Sequence, residues 1–274
     1  MSQAPTLAFI GAGNMAQAII KGLLQQGYNA KQIIATGRTA SKLATLAANT
    51  GIRTSMDNQA ACQQADIIIL AVKPQMMQAT ISQLANAIEP RRHLIISVAA
   101  GILANTITGW VGSNCATVRC MPNTPALVGM GASGLYANAQ VSDQQKAMAE
   151  EIMQAVGISI WLQDEALIDA VTAVSGSGPA YYFLMMEAMM AGAEQLGLDQ
   201  QQAKALVLQT ALGAATMAQH SDKSPEQLRV AVTSPKGTTE QALNSFAESG
   251  YQETVANAMG AAYERSQELA KLFA

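Results

Sequence analysis

The sequence predicts an α/β protein, a doubly wound Rossmann-type parallel sheet followed by an all-α domain. Three observations carry this. Short, nearly all-apolar runs alternate with helical stretches from Thr6 to about Trp161, as parallel strands covered on both faces require. The first run ends in a glycine turn that opens directly into a helical pattern. From Asp164 onward strand signals vanish and one helical pattern follows another. The expected domains are residues 1–162, a dinucleotide-binding domain, and residues 163–274, a helical substrate-binding and dimerisation domain.

The apolar runs are residues 7–10, 33–36, 67–72, 94–98, 117–121 and 158–162, with helices such as 14–26, 41–48 and 75–87 between them. Gly27 and Gly51 stand where helices stop. In such a sheet the ligand crevice lies at the carboxyl ends of the strands, so functional residues follow the runs. After the first comes Gly11-Ala12-Gly13-Asn14-Met15-Ala16. Gly11 permits a tight turn, Gly13 lets backbone approach a pyrophosphate, and Ala16 keeps the helix close to the strand. The free N–H groups of the helix start then face the negative charge.

After the second run the chain reads Ala35-Thr36-Gly37-Arg38-Thr39, with no carboxylate before Asp57. A site for NAD usually places Asp or Glu here to hold the ribose hydroxyls. Arg38, with the Thr36 and Thr39 hydroxyls, suits a 2′-phosphate instead, because a guanidinium binds phosphate through two parallel hydrogen bonds. This favours NADP(H) over NAD(H); the plain alternative is a solvated surface arginine. In Ala71-Val72-Lys73-Pro74 the proline ends the strand, and Lys73 faces phosphate, ribose or solvent. The small residues of Ser97-Val98-Ala99-Ala100-Gly101 let a flat ring lie against the backbone. In Met121-Pro122-Asn123-Thr124-Pro125 the prolines fix a rigid loop, either a functional edge or a stiff connector.

The helices of the second half are expected over 165–174, 179–196, 200–220, 225–232, 238–249 and 251–272. Ser175-Gly176-Ser177-Gly178 reads as a flexible turn before Pro179, which fits a first helical position. These helices are apolar over more than one face, which predicts a homo-oligomer with this half as the dimer interface. Ser234-Pro235-Lys236-Gly237-Thr238-Thr239-Glu240 enters a helix whose unpaired donors and positive dipole end would seat a carboxylate. A well-capped helix accounts for the same residues without a ligand.

Composition narrows the function. The 274 residues, half of them apolar, suffice for about two domains with a sizeable core. A net charge of −3 without a basic block gives no sign of a nucleic-acid partner. Cys62, Cys115 and Cys120 form neither a metal spacing nor a disulfide framework, which suits packing in a reducing compartment. No apolar run reaches a membrane span and the N-terminus lacks a signal-peptide pattern, so a cytoplasmic protein is expected. The histidines, His93 and His220, lie outside the expected crevice loops. A hydride-transfer enzyme with so little acid–base equipment suits an imine, which enters already protonated and leaves as a neutral amine.

Taken in order, the glycine turn, Ala71–Pro74, Ser97–Gly101, Met121–Pro125, Val174-Ser175-Gly176-Ser177-Gly178-Pro179-Ala180-Tyr181 and Ser234–Thr239 resemble pyrroline-5-carboxylate reductase along nearly the whole chain. The resemblance implies reduction of 1-pyrroline-5-carboxylate to proline by NADPH or NADH, the last step of proline synthesis. It also implies a domain-swapped helical dimer, often assembled further into a decamer. By the same resemblance, Gly11, Ala12, Gly13, Asn14, Met15 and Ala16 hold pyrophosphate, and Thr36 and Arg38 hold the adenosine phosphate. Asn58, Ala71, Val72, Lys73, Pro74, Val98, Ala99 and Ala100 line ribose and nicotinamide, with Pro122 and Asn123 assigned to the same cofactor site. Gly237, Thr238 and Thr239 seat the substrate carboxylate, the Thr239 hydroxyl contacts the ring nitrogen as the catalytic group, and Ser175 and Gly176 close the pocket. The family usually carries two glycines after Ser-Pro, where this chain has Lys236-Gly237. Pointing inward, Lys236 adds a charge for the carboxylate; outward, it is harmless. Two other readings stay open. A keto-acid reductase would need a catalytic lysine, and Lys204 and Lys223 stand in no convincing motif. A nucleotide-binding sensor would lack turnover.

Overall fold

Residues 4–112 and 114–273 are described in a computed structural model of the chain; residues 1–3 and 274, at the outer limits of the two expected domains, lie outside them. Two compact units are present: one runs to Ser177 and is completed by the chain from Ala262, and the other is Gly178–Ala261. The units therefore divide at 177/178 and 261/262, whereas the expected domains divide at 162/163.

The first unit alternates strand and helix: β1 Leu7–Ile10, α1 Asn14–Gln25, β2 Ile33–Thr36, α2 Ala40–Thr50, β3 Arg53–Ser55, α3 Asn58–Gln64, β4 Ile67–Leu70, α4 Pro74–Leu84, β5 Leu94–Ser97, α5 Ala104–Val111, β6 Ala116–Met121, β7 Gly131–Ala137, α6 Asp143–Gln154, β8 Gly157–Trp161 and α7 Leu167–Val171. The sheet order is β3-β2-β1-β4-β5-β6-β7-β8. Phe9 lies opposite Ala35 on one side and Ile69 on the other, both in parallel register. The winding direction reverses between β1 and β4, which opens the crevice at their carboxyl ends. Alternate residues serve opposite layers, because side chains on a strand change face at every step. Leu7, Phe9, Ile67, Ile69 and Ile96 pack with α1 and α6 residues such as Ile19, Ile20 and Met153. Ala8, Ile10, Ile68, Leu70 and Ile95 pack with Met77, Ile81 and Ile107. Burial on both faces is why these strands are almost wholly apolar.

Three features correct the expected pattern. The sheet gains β3 and β7, and β7 runs antiparallel to β6, with Cys120 opposite Leu135. β3 is a short edge strand whose Arg53 is exposed, so no apolar run announces it. β7 is poor in large residues because its neighbours come close: a Cβ on Gly134 would lie 2.8 Å from Val171 Cγ2, and one on Gly131 would lie 2.8 Å from the Val156 carbonyl oxygen. The helix expected over 165–174 stops at Val171, and the flexible turn expected at 175–178 is absent. Thr172–Gly176 is instead a single π-helical turn, and the chain is helical again from Gly178.

The second unit holds α8 Gly178–Gln195, α9 Gln200–His220, α10 Pro225–Ala231, α11 Thr238–Glu248 and the first part of α12 Tyr251–Leu272. Capping boxes start α9 and α10, Asp199 with Gln202 and Ser224 with Gln227. Phe183, Leu184, Leu196, Leu206, Leu212 and Met217 are exposed, far more apolar surface than a lone helical unit leaves in water. The end of α12 packs in the first unit, where Ser266 Oγ donates to Asp169 Oδ1 at 2.6 Å. Among the described residues no helix is long and apolar enough to cross a membrane.

Candidate active site

The glycine turn after β1 is pressed against the segment after β4. Gly11 has φ 102°, and a Cβ there would lie 2.8 Å from the Ala71 carbonyl oxygen and 3.0 Å from Val72 Cγ1. Gly13 is the opposite case: a Cβ would meet nothing within 4 Å, so open space stands before the start of α1. Gly13 is the N-cap of α1 and offers no side chain to its first-turn amides. Those amides and the positive end of the helix dipole face that space. Asn14 is exposed, Ala12 and Met15 are half-buried, and Ala16 is fully buried against the sheet as the third small residue of the turn. The residues present fit a dinucleotide pyrophosphate.

Thr36 has a different part from the one expected. It is 0% exposed, and its Oγ1 accepts from Gly11 N–H at 3.3 Å while donating to the Phe9 carbonyl at 3.2 Å. The hydroxyl is spent on the shape of the glycine turn and has no surface for an adenosine phosphate. Arg38 is exposed just beyond β2. Asn58 opens α3, half-buried, behind Asp57, whose carboxylate accepts from Ala60 N–H at 3.1 Å.

The next two strand ends are laced to the first. Ala71 N–H donates to the Ile10 carbonyl at 2.9 Å, and Val98 N–H donates to the Leu70 carbonyl at 3.2 Å. Ala71, Val72 and Pro74 are half-buried and Lys73 is exposed as the N-cap of α4. Val98 and Ala100 are half-buried beside buried Ala99. Gly101, at φ 74°, completes this loop under the end of α12, where its Cβ would lie 3.2 Å from Leu269 Cβ.

An ion pair beside these loops escaped sequence reasoning. Arg119, 3% exposed on β6, donates to Glu165 Oε1 at 3.0 Å, and the same oxygen accepts from Ala104 N–H at 2.7 Å. One carboxylate thus joins β6, the start of α5 and the approach to α7. The available signal was a lone arginine inside the otherwise uncharged run Ala116–Met121. Next to it, Pro122 and Asn123 are buried, and the Asn123 amide is bonded to the protein at both ends. Its Nδ2 donates to the Ser175 carbonyl at 3.0 Å and its Oδ1 accepts from Ala132 N–H at 2.9 Å. Ser175 Oγ donates to the Val171 carbonyl at 3.1 Å, and a Cβ on Gly176 would lie 2.6 Å from Met121 Cε. The structure brings Asn123, Ser175 and Gly176 together as one rigid edge.

In the second unit, the bend before α11 folds on itself. Gly237 N–H donates to the Ser234 carbonyl at 3.0 Å, and Lys236 N–H donates to Glu240 Oε2 at 2.7 Å. Lys236 is exposed at φ 59°. Gly237 is the N-cap and brings no side chain to cap α11. Thr238 is exposed and Thr239 half-buried on the first turn.

His93 and the three cysteines of the first unit are buried. His93 is 0% exposed, and its Nδ1 accepts from Glu89 N–H at 2.9 Å. Burial, and then the Arg92 charge, hold its pKa below the usual 6.5. Burial pushes the Cys62 and Cys120 thiols up to about 12 and raises that of Cys115. His220 is exposed at the end of α9.

Residues 165–269 match the family described as pyrroline-5-carboxylate reductase dimerisation, and residues 6–101 match NADP oxidoreductase, coenzyme F420-dependent. The pyrroline-5-carboxylate reductase of Pseudomonas aeruginosa is 52% identical over 267 residues, 97% of each chain. The chain belongs to the pyrroline-5-carboxylate reductase family. The Vibrio alginolyticus pyrroline-5-carboxylate reductase is 45% identical over 97% of this chain and 98% of its own. The solved structure of a pyrroline-5-carboxylate reductase from Coxiella burnetii superposes with a TM-score of 0.94 at 43% identity, covering 98% of this chain and 99% of that one. The Plasmodium falciparum pyrroline carboxylate reductase with NADP bound gives 0.86 at 30% identity, covering 97% and 98%. The family's dimerisation region spans the helical half, which makes the protein a homodimer and accounts for the apolar surface of α8 and α9.

Proposed function

We propose that this pyrroline-5-carboxylate reductase converts 1-pyrroline-5-carboxylate to L-proline with NADPH, through two anion seats of the same construction. The observation that carries this reading is the pair of helix starts at Gly13 and Gly237. Each N-cap is a glycine without a side-chain cap, and each has a positive-φ residue close upstream, Gly11 at φ 102° two residues before Gly13 and Lys236 at φ 59° immediately before Gly237. Such a start leaves its first amides to a ligand.

When bound, the reduced dinucleotide supplies the hydride. The first turn of α1 holds its pyrophosphate, and Arg38 holds the 2′-phosphate through paired N–H donors. Ala71, Val72, Val98, Ala99 and Ala100 present small side chains and backbone to the flat ring, with Asn58, Lys73 and Pro74 at their margin. The amides of Thr238 and Thr239 hold the substrate carboxylate. The Thr239 hydroxyl hydrogen-bonds the ring nitrogen and orients the imine. Ser175 and Gly176 close the rigid edge set by Asn123 and Pro122. A protonated imine needs no further acid, which agrees with the burial of His93 and the three thiols.

NADPH oxidation with 1-pyrroline-5-carboxylate, measured beside a panel of small keto acids, tests the reading. Turnover with the cyclic imine alone is expected; turnover with the keto acids alone would overturn it. Thr239→Val is expected to lower kcat while the affinity for NADPH stays near normal. We further infer a cytoplasmic setting, functional domains meeting at 162/163, and dimers assembled into a decamer. Sedimentation at working concentration reads that assembly, and a species no larger than a dimer would remove the decamer.

A further inference from the structure

We propose that Glu240 is a positioning residue for the substrate carboxylate: it holds the left-handed bend at Lys236 that keeps the first amides of α11 open. The proposal rests on the assignment of the carboxylate seat to the Ser234–Thr239 bend.

Lys236 is the only non-glycine residue with positive φ among the described residues. A Cβ crowds the backbone in this region, so a residue other than glycine stays there only when its surroundings enforce it. Of the surroundings, Glu240 makes the direct contact. Its carboxylate accepts from Lys236 N–H at 2.7 Å, within the short range of charge-assisted hydrogen bonds.

The contact is a displaced capping box. In the ordinary form, the third helical residue accepts from the N-cap amide. Here that amide, of Gly237, is already taken by the Ser234 carbonyl at 3.0 Å, and Glu240 reaches one residue further back. Both amides preceding the helix are therefore satisfied inside the bend. The amides of Thr238 and Thr239 have no intrahelical acceptor and are left for an external oxygen.

Charge alone argues the other way. Glu240 stands in the first turn of the helix that seats another carboxylate. If its charge were what mattered, removing it would strengthen substrate binding. The two accounts predict effects of opposite sign, so the experiment separates them.

Steady-state kinetics of Glu240→Ala and Glu240→Gln, each made in the wild-type and the Lys236→Gly backgrounds, tests the proposal. Glu240→Ala is expected to raise the KM for 1-pyrroline-5-carboxylate about fivefold, a modest hydrogen-bond effect, with the KM for NADPH within about twofold. Glu240→Gln keeps an acceptor for the Lys236 amide and is expected to stay within about twofold of its parent. With glycine at position 236 the bend needs no support, so Glu240→Ala is expected to add less than about twofold there. A lower KM for the imine acid in both Glu240 variants, an equal rise in the two backgrounds, or a matching rise in the KM for NADPH would overturn it. Thr238→Pro, run alongside, separates the levels, because proline fits the first helical position after the extended Gly237 and deletes one of the two amides. Normal kinetics for that variant would remove the seat itself, whereas an impaired Thr238→Pro beside an unchanged Glu240→Ala removes only the role of Glu240.

Discussion

The side-chain amide of Asn123 donates to the backbone carbonyl of Ser175 at 3.0 Å, across 52 residues of sequence. It joins the proline-bounded loop after β6 to the π-helical turn Thr172–Gly176. The other end of the amide accepts from Ala132 N–H on β7. One side chain, 8% exposed, thus sets the spacing of three backbone segments. Asn123→Ala leaves a buried donor and a buried acceptor without partners, a loss of about 2–3 kcal/mol. In thermal melts we expect Tm to fall by roughly 5–10 °C. Asn123→Asp keeps the acceptor for Ala132 but sets an anion against the Ser175 carbonyl, so it is expected to fall at least as far. A Tm equal to wild type in Asn123→Ala would show that this link is dispensable.

The two glycines of the first turn are expected to fail in different ways. At Gly11 an alanine meets both a left-handed φ and the Ala71 carbonyl oxygen at 2.8 Å, so Gly11→Ala acts on the fold and costs about 1–3 kcal/mol. At Gly13 the space is open, and an alanine costs the helix start only about 1 kcal/mol. That open space is where we place the pyrophosphate. Gly13→Ala is therefore expected to melt close to wild type while its dissociation constant for NADPH rises more than about tenfold. Melting curves paired with fluorescence titration of NADPH read both quantities. Loss of stability in Gly13→Ala with affinity retained would contradict the assignment.

Arg38 and Thr36 are two residues apart in the motif and separable in experiment. Removing a bidentate guanidinium–phosphate contact costs about 1.5–3 kcal/mol, so Arg38→Ala is expected to raise the KM for NADPH by roughly 10- to 100-fold and leave NADH unchanged. Thr36→Val removes the acceptor of Gly11 N–H and deforms the turn beneath the pyrophosphate. It is expected to weaken NADPH and NADH by similar factors. Discrimination lost in Thr36→Val and kept in Arg38→Ala would reverse the two roles.

How much of this was legible in the sequence depended on what each residue reports. The runs containing β1, β2, β4 and β5 were readable because burial on both faces makes them almost wholly apolar, with Thr36 and Ser97 as buried polar residues at strand ends. β3 and β7 were not, because Arg53 sits on an exposed edge and the small residues of β7 answer to Val171 and Val156, contacts far away along the chain. Gly11 and Gly13 could be read as a pair, since backbone conformation and ligand space leave the same signature of a missing side chain. Thr36 and Asn123 were recognisable as polar residues at the crevice, but the direction of a hydroxyl or an amide depends on tertiary partners. Both turn inward, to Phe9 and Gly11 in one case and to Ser175 and Ala132 in the other. Glu240 looked like an ordinary first-turn acid, and its reach to Lys236 became visible only with the bend in place.

His93 gives the fold a pH dependence whose sign is fixed by its surroundings. It is 0% exposed just before β5, and its pKa is lowered by burial first and by the Arg92 charge second, against a weaker opposing pull from Glu89 and Asp66. Below its ordinary pKa of about 6.5 the unfolded chain takes up a proton that the folded chain refuses. The contribution of His93 to stability is therefore complete above that pH and is lost as the pH falls from there toward the lowered folded value. Its slope approaches roughly 1.4 kcal/mol per pH unit within that window. Urea unfolding of the wild type between pH 7.5 and 5.5 is expected to show this decline. Other groups contribute to the total, so the diagnostic quantity is the difference from His93→Asn, which keeps an acceptor for Glu89 N–H and does not titrate. The variant is expected to be less stable at pH 7.5, because it packs a smaller side chain, and to lose less on acidification. Parallel declines in the two proteins would show that His93 is protonated as readily in the folded chain as in the unfolded one.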